Sequence, residues 1–300
     1  MTESALQRPT SVATEKFVDS IDQQKWIQQT ADVVQKPTKE IVGQLGPAKD
    51  FLHGKWLGHP LHPALTDVPV GAWTTALALD AADMMTGGEA FRDAADLAIG
   101  VGLAGAVGAA VTGLADWSET DGRAKNVGVV HGVLNLAAAG FYTVSLLARR
   151  RRARQRGIAL SMLGYAIASF SAYLGGHLVY GEQIGVDHTA TADQGQPKKF
   201  TKVMRASDLK DGKPTRVDVD DTAVLLVRVD ETIYALANTC THLGGPLNEG
   251  KLKGNSIVCP WHGSRFCLTD GKVLDGPAIF EERTFDVRVR NGQIEVRARS

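Results

Sequence analysis

Polar and apolar positions divide the chain into two regimes that meet between residues 180 and 200. Before that point four long apolar stretches cover Ala64–Met85, Ala94–Ala115, Val127–Ala148 and Gly157–Tyr180. Each approaches the ~20 residues that a helix needs to cross a bilayer. The first is interrupted by Asp67, Pro69 and Asp80, whereas Leu97 to Ala115 lacks any polar stripe. A helix packed in a soluble bundle would keep such a stripe, so the pattern predicts four membrane-spanning helices. After residue 200 the apolar runs shorten. They predict strands at Arg216–Val219, Val224–Val229, Ile233–Asn238, Ile257–Cys259, Thr284–Arg290 and Gln293–Ala298. Asp220-Asp221, Asp230-Glu231 and Asn291-Gly292 stand between runs, the last being a two-residue hairpin signal.

Ahead of the first span, Phe17, Ile21, Ile27, Ala31 and Val34 recur near helical spacing, with Pro37 expected to end that helix. Gly46-Pro47 breaks the next segment. Phe51, Leu52, Trp56 and Leu57 then cluster beside His53 and Lys55. Trp and Lys just before a span suit the bilayer interface, where they would meet membrane lipids; an amphipathic helix packed on the protein itself gives the same pattern. The expected organisation is a tail (1–58), a four-helix membrane domain (59–180), a linker (181–199) and an all-β domain (200–300). About two domains also suit a chain of 300 residues. The linker is polar and long enough to let the last domain swing.

Charge and motifs refine this picture. The formal net charge is +0, so no global field favours nucleic acid. Met1 to Pro9 has no apolar core, so no cleaved secretory signal is expected. Six arginines between Arg149 and Arg156 separate the third and fourth spans. Such a loop belongs on the cytoplasmic side, which would place the C-terminal domain of a multi-pass protein of the cell membrane outside the cytoplasm. Paired arginines ahead of an apolar span also loosely resemble a twin-arginine export signal. Gly100-Val-Gly102-Leu-Ala-Gly105 matches the dinucleotide fingerprint by letter, but it lies inside an apolar run with no preceding strand. Gly100, Ala104 and Gly108 share one helical face, which predicts close helix packing there.

The densest chemistry is Cys240-Thr-His242, sixteen residues, then Cys259-Pro-Trp-His262. Two thiolates and two imidazoles in short loops are a metal site. One zinc is an alternative, but each loop brings one Cys and one His. That split suits a two-iron cluster with sulfur ligands on one iron and imidazoles on the other. Of the three cysteines only Cys267 lies outside this set, and it reads as a packed thiol on the strand that follows.

These loops, with Leu-Gly-Gly-Pro-Leu after His242, Gly-Ser-Arg-Phe after His262 and Gly276-Pro277-Ala278 downstream, resemble a Rieske [2Fe–2S] domain. The fold class implied is a four-transmembrane-helix bundle followed by an all-β Rieske domain. The resemblance implies that Cys240 and Cys259 bind the buried iron and that His242 and His262 bind the outer, reducible one. Leu243, Trp261 and Pro277 would shield the cluster. Gly245 and Trp261 stand where the high-potential branch has a disulfide, so the domain resembles the ferredoxin-like branch. Ser264 matches a donor to cluster sulfur; Phe266 replaces a second donor, a tyrosine. A potential between the two branches is expected.

Gly58-His59-Pro60-Leu61-His62-Pro63, with Gly175-Gly176-His177 later, resembles an uncharacterised family of bacterial four-helix membrane domains (DUF2231-like). With four spans, His59, His62, Asp67, Asp116, Glu119, His131, Asn135 and His177 share one membrane side with the cluster domain. His131 and His177, or alternatively His59 and His62, are candidates for a haem b or quinone site; the bland alternative is that they tie helix ends. A catalytic iron on His59, His62 and Asp67 is a weaker option. The leading expectation is a membrane-anchored one-electron carrier serving a redox partner protein. The alternatives are a quinol or small-molecule oxidoreductase and a redox-sensing membrane module.

Overall fold

The computed structural model describes residues 12–190 and 196–299. Residues 1–9, where no leader is expected, lie outside the described residues, as does 191–195 of the expected linker. Among the described residues seven α-helices precede ten strands. The chain forms two compact units, one of residues 1–41, 65–110 and 120–182, the other of 42–64, 111–119 and 183–300.

The first unit is helical. Helices α1 (Val12–Asp22) and α2 (Lys25–Gln44) lead into it. Of the expected stripe they bury Ile21, Ile27 and Ala31, with Val18 beside them, whereas Phe17 and Val34 stay exposed. Pro37 does not end the helix but lies inside α2. A proline there removes one N–H bond, and the helix continues past it.

Helices α4 (Leu61–Thr86), α5 (Glu89–Trp117), α6 (Gly122–Arg150) and α7 (Arg154–Tyr180) follow the four expected spans. Three of them, α5, α6 and α7, are long and apolar enough to cross a membrane. Helix α4 is not among these, and it carries Asp67, Pro69, Asp80 and Asp83. Only 22%, 22% and 33% of the apolar windows of α5, α6 and α7 are buried, so most of their apolar surface is left outward.

The tightest approach of α5 to α4 is made by glycines outside the expected set, in which Gly108 would bring a Cβ to 3.6 Å from Leu65 of α4. A Cβ at Gly105 would lie 2.5 Å from Val68, and one at Gly102 would overlap the Trp73 indole. Gly100 has nothing within 4 Å. The helical fold through Gly100–Gly105 agrees with reading that motif as helix rather than nucleotide loop. Trp73 also stacks on Tyr142 of α6, centroids 4.2 Å apart.

Two acids of α4, Asp80 and Asp83, are matched by arginines. Arg149 donates from Nη1 to Asp80 (2.7 Å) and Asp96 (3.1 Å), from Nη2 to Asp80 and Ser161, and from Nε to Ser145. Arg154 reaches Asp83 at 2.6 Å, Asp96 at 3.2 Å and Asp80 at 3.2 Å. Arg92 closes the set on Asp83 at 2.7 Å. Two of the six arginines between Arg149 and Arg156 are thus turned inward. Their buried carboxylates are neutralised in the one way that makes such burial tolerable, by direct ion pairing.

The second unit contains the β domain. Its sheets run β1 (Thr201–Arg205)–β10 (Gln293–Ala298)–β9 (Phe285–Arg290), β2 (Thr215–Val219)–β3 (Thr222–Val229)–β4 (Thr232–Ala237), and β5 (Lys251–Leu252)–β6 (Ser256–Val258)–β7 (Arg265–Cys267)–β8 (Val273–Asp275). All named pairings are antiparallel. Strand β3 shows why the domain has two cores. Its side chains alternate by the two-residue period: Leu225 and Val227 enter one core with Leu236, Ile257 and Phe266, and Val224 and Leu226 enter the other with Phe285 and Ile294. Asn291 (φ 51°) and Gly292 (φ 72°) make the predicted hairpin between β9 and β10, the backbone that a primed turn requires.

Candidate metal centre

Both motif loops project from the core that contains Leu225 and Phe266. They are closed in the same way. In the first, Cys240 N–H bonds to Gly245 O and Gly244 N–H bonds to Cys240 O, each at 2.9 Å. In the second, Cys259 N–H bonds to Ser264 O at 2.8 Å and Gly263 N–H to Cys259 O at 3.2 Å. In each loop the glycine four residues after the cysteine has φ 77°, a conformation that glycine adopts without steric cost. These two glycines were not singled out from the sequence, although their equal spacing from Cys240 and Cys259 was visible there.

The loops bring like ligands together in pairs. Cys240 and Cys259 are both buried, and their thiols are hydrogen-bonded to each other. That bond holds the Cys259 thiol down at about 7, against the effect of burial; backbone amides of Trp261 and His262 help. The same bond, with burial, pushes Cys240 up. The imidazoles of His242 and His262 lie 5.1 Å apart, centroid to centroid, edge to face. Burial first, then His262, lowers His242 to about 3, so its ring is neutral, the form that ligates metal. No three His, Cys, Asp or Glu side chains among the described residues gather about a single ion.

The expected surroundings have varied placements. A Cβ on Gly245 would lie 2.9 Å from Cys259 Sγ and 3.2 Å from the Trp261 ring, so the first loop's backbone lies directly against the second loop's sulfur. Trp261 itself is 55% exposed, an outward cover rather than a buried one. Leu243 is half-buried. Ser264 and Phe266 are fully buried. Ala278 N–H, one residue beyond Pro277, donates to Ser264 Oγ at 2.9 Å. Thr241 is tied from both ends: its N–H bonds to Glu282 Oε1 and its hydroxyl to Phe280 O, both at 2.8 Å. Glu282 escaped the sequence reading. Burial raises its carboxyl well above the usual range, opposed by the Thr241 amide. Segment 183–190, expected as free linker, binds the same loop through His188 N–H to Thr241 O at 3.1 Å.

The other candidate residues have partners of their own. His131 Nδ1 donates to Ser171 O at 2.8 Å, and its Nε2 accepts from Asn135 at 3.0 Å. His177 Nε2 pairs with Glu182 at 3.2 Å. His59 is exposed and bonds to Pro60 O. His62 lies against Gly113, where a Cβ would be 2.8 Å from its ring. Asp67 is exposed. Asp116 pairs with His53 at 2.8 Å and Glu119 with Lys49 at 2.9 Å; neither partner was foreseen.

Two families match. Predicted membrane proteins (DUF2231) cover residues 58–188, and the Rieske [2Fe–2S] domain covers residues 199–286. Ferredoxin CarAc of Metapseudomonas resinovorans is 38% identical over 98 residues, which are 32% of this chain and 92% of that protein. Apoptosis-inducing factor 3 of Mus musculus is 32% identical over 96 residues, and this chain spans only 16% of its length. Among solved structures, the ferredoxin of carbazole 1,9a-dioxygenase from Nocardioides aromaticivorans IC177 is 32% identical, covering 34% of this chain and 99% of that one, with a TM-score of 0.33. The paired thiols and imidazoles are those such a domain uses to hold two irons and two sulfides. The chain belongs to the Rieske [2Fe–2S] family, with its Rieske domain following a DUF2231 predicted membrane domain.

Proposed function

We propose that this protein is a membrane-anchored, ferredoxin-like Rieske carrier of single electrons. Cys240 and Cys259 hold one iron; His242 and His262 hold the other. The observation that carries the reading is the matched closure of two loops that set sulfur against sulfur and imidazole beside imidazole. When bound, the cluster supplies a one-electron redox centre. The chain buries the sulfur side among Leu247, Ile257 and Phe266 and leaves the imidazole side half-exposed beside Trp261, where a redox partner protein docks. The likeness to ferredoxins supports a soluble or peripheral protein as that partner.

The outward apolar surface of α5, α6 and α7 supports membrane anchoring. Helix α4 serves as the fourth span, with Asp80 and Asp83 cancelled by Arg149 and Arg154. The remaining arginines of that loop face the cytoplasm, which puts the Rieske domain outside. His131 ties α6 to α7, because both its ring nitrogens are hydrogen-bonded, one of them to Ser171 O.

Optical and EPR spectra of the purified whole protein, with iron and sulfide analysis, test this reading. Two irons and two sulfides per chain, with nitrogen coupling in the reduced EPR signal, are expected. Stoichiometric zinc would defeat the cluster assignment, and a haem absorption band would overturn the reading of the histidines as ties. Labelling a cysteine added at the C-terminus from outside intact cells reports the side.

A further inference from the structure

A short helix in the second unit contacts the turn beside the candidate cluster loops. Helix α3 (Pro47–His53) starts at Gly46-Pro47 and is followed by a single 3-10 turn, Lys55–Leu57. One side of α3 is fixed to the segment Val111–Glu119 of the same unit: Lys49 Nζ donates to Glu119 at 2.9 Å and His53 Nδ1 to Asp116 at 2.8 Å. Residues four apart lie on one helical face, so both anchors pull the same way. With Nδ1 carrying the proton, the buried His53 Nε2, which has no partner, is left as an acceptor.

Asp50 faces the other way. Its Oδ1 accepts Gly276 N–H at 3.1 Å, and its Oδ2 accepts Lys55 Nζ at 2.9 Å. Lys55 also donates to Leu274 O at 2.8 Å. The turn from Leu274 to Ala278 is therefore gripped at two backbone points by side chains more than two hundred residues earlier in the chain. Beyond Gly276 the turn delivers Ala278 N–H to Ser264 Oγ. Ser264 is 0% exposed, and among the described residues its hydroxyl has Ala278 N–H as its partner. Accepting this bond fixes the hydroxyl oxygen and leaves its one O–H to rotate toward a remaining acceptor. Asp50, Gly276, Ala278 and Ser264 thus form one connected path from α3 to the loop that carries Cys259 and His262.

We propose that Asp50 is a positioning residue for the cluster: by holding the Gly276 turn against α3, it fixes the Ser264 hydroxyl and sets how far water reaches the cluster. This rests on the cluster assignment above. It makes the N-terminal segment a working part of the redox centre rather than a tail.

The test uses the full chain, cluster-loaded in detergent, as wild type, Asp50→Ala, Asp50→Asn, Lys55→Met and Ser264→Ala. EPR spin counts come first. A wild type without a two-iron signal refutes the cluster assignment, which distinguishes that failure from failure of the present inference. With the cluster present, hydrogen exchange of a peptide spanning 271–280 is expected to quicken about tenfold in Asp50→Ala, as loss of one charge-assisted hydrogen bond would allow. Asp50→Asn, which keeps an acceptor for Gly276, should recover part of the protection. The midpoint potential of Asp50→Ala should move in the same direction as that of Ser264→Ala. A cluster-bearing Asp50→Ala with unchanged exchange and potential overturns the proposal. Should that variant lose its cluster, Lys55→Met decides: about threefold faster exchange of the peptide supports the proposal, and unchanged exchange refutes it.

Discussion

The buried Ser264 hydroxyl accepts the Ala278 N–H at 2.9 Å and so keeps its hydrogen for a different acceptor. A hydrogen bond donated to a cluster sulfur stabilises the reduced state, which has the greater negative charge, and so raises the potential. Ser264→Ala is expected to leave the cluster in place and lower its midpoint. Protein-film voltammetry on the whole protein measures it; a potential equal to that of wild type would mean that the hydroxyl points elsewhere.

Phe266 supplies the converse experiment. It is fully buried on β7, paired with Ile257 and Val273, and has no hydroxyl. Phe266→Tyr adds one donor at the position that resembles a tyrosine in high-potential Rieske proteins. The wild-type midpoint is expected between the ferredoxin-like and quinol-oxidising branches, inside the range of about −150 to +300 mV for such centres, and the variant should lie above it. A wild-type midpoint at the high end of this range would refute the assignment to an intermediate class.

Glu282 should make stability depend on pH. Burial raises its carboxyl well above the usual range, so the folded state binds a proton that the unfolded state has released. Its stabilising contribution is complete below the ordinary carboxylate range and disappears as pH rises through the raised value. Thermal melts followed by loss of cluster absorbance should therefore decline across that interval. Glu282→Gln, which keeps the acceptor for Thr241 N–H, should flatten the decline. Glu282→Ala leaves that N–H unpaired and should cost about 1–3 kcal/mol. A wild type whose melting is constant across the interval would contradict the sign.

Arg149 and Asp80 should behave as a pair. Removing one partner strands a buried charge, at a cost of about 3–5 kcal/mol. Arg149→Met alone is thus expected to lower the unfolding temperature in detergent substantially, and Asp80→Leu with Arg149→Met should restore most of it. An equal loss in both would show that Asp96 and Arg154 have a stake in the pair as large as Asp80's own.

The parts that could be read from the sequence are those in which neighbouring residues do the work. Cys240 with His242, Cys259 with His262 and the Asn291-Gly292 hairpin each declare themselves within a few positions, as do the alternating strands around them. Strands such as Thr201–Arg205 and Val273–Asp275 were missed because they are short and only half-buried, so alternation has little to mark. The contacts that hold the centre were hidden for a different reason. Asp50 meets Gly276 across 226 positions and His53 meets Asp116 across 63, and nothing in either local sequence announces the other. That Arg149 and Arg154 pair inward with Asp80 and Asp83 was likewise hidden, since these acids lie about seventy positions earlier. Gly244 and Gly263 were readable in principle, since each lies four residues after a cysteine, but only the pair of closures shows that they play the same part.

The backbone at Gly245 has a consequence for how such domains diverge. A Cβ there would lie 2.9 Å from Cys259 Sγ, inside the separation that two unbonded atoms tolerate. Replacing Gly245 and Trp261 with cysteines would not staple the loops; the first of the two changes would push a ligand sulfur out of place before any covalent bond could form. Passage from this loop design to a disulfide-linked one therefore requires the main chain to move first. In its present form the centre depends on no disulfide, because Cys240 and Cys259 are free thiols.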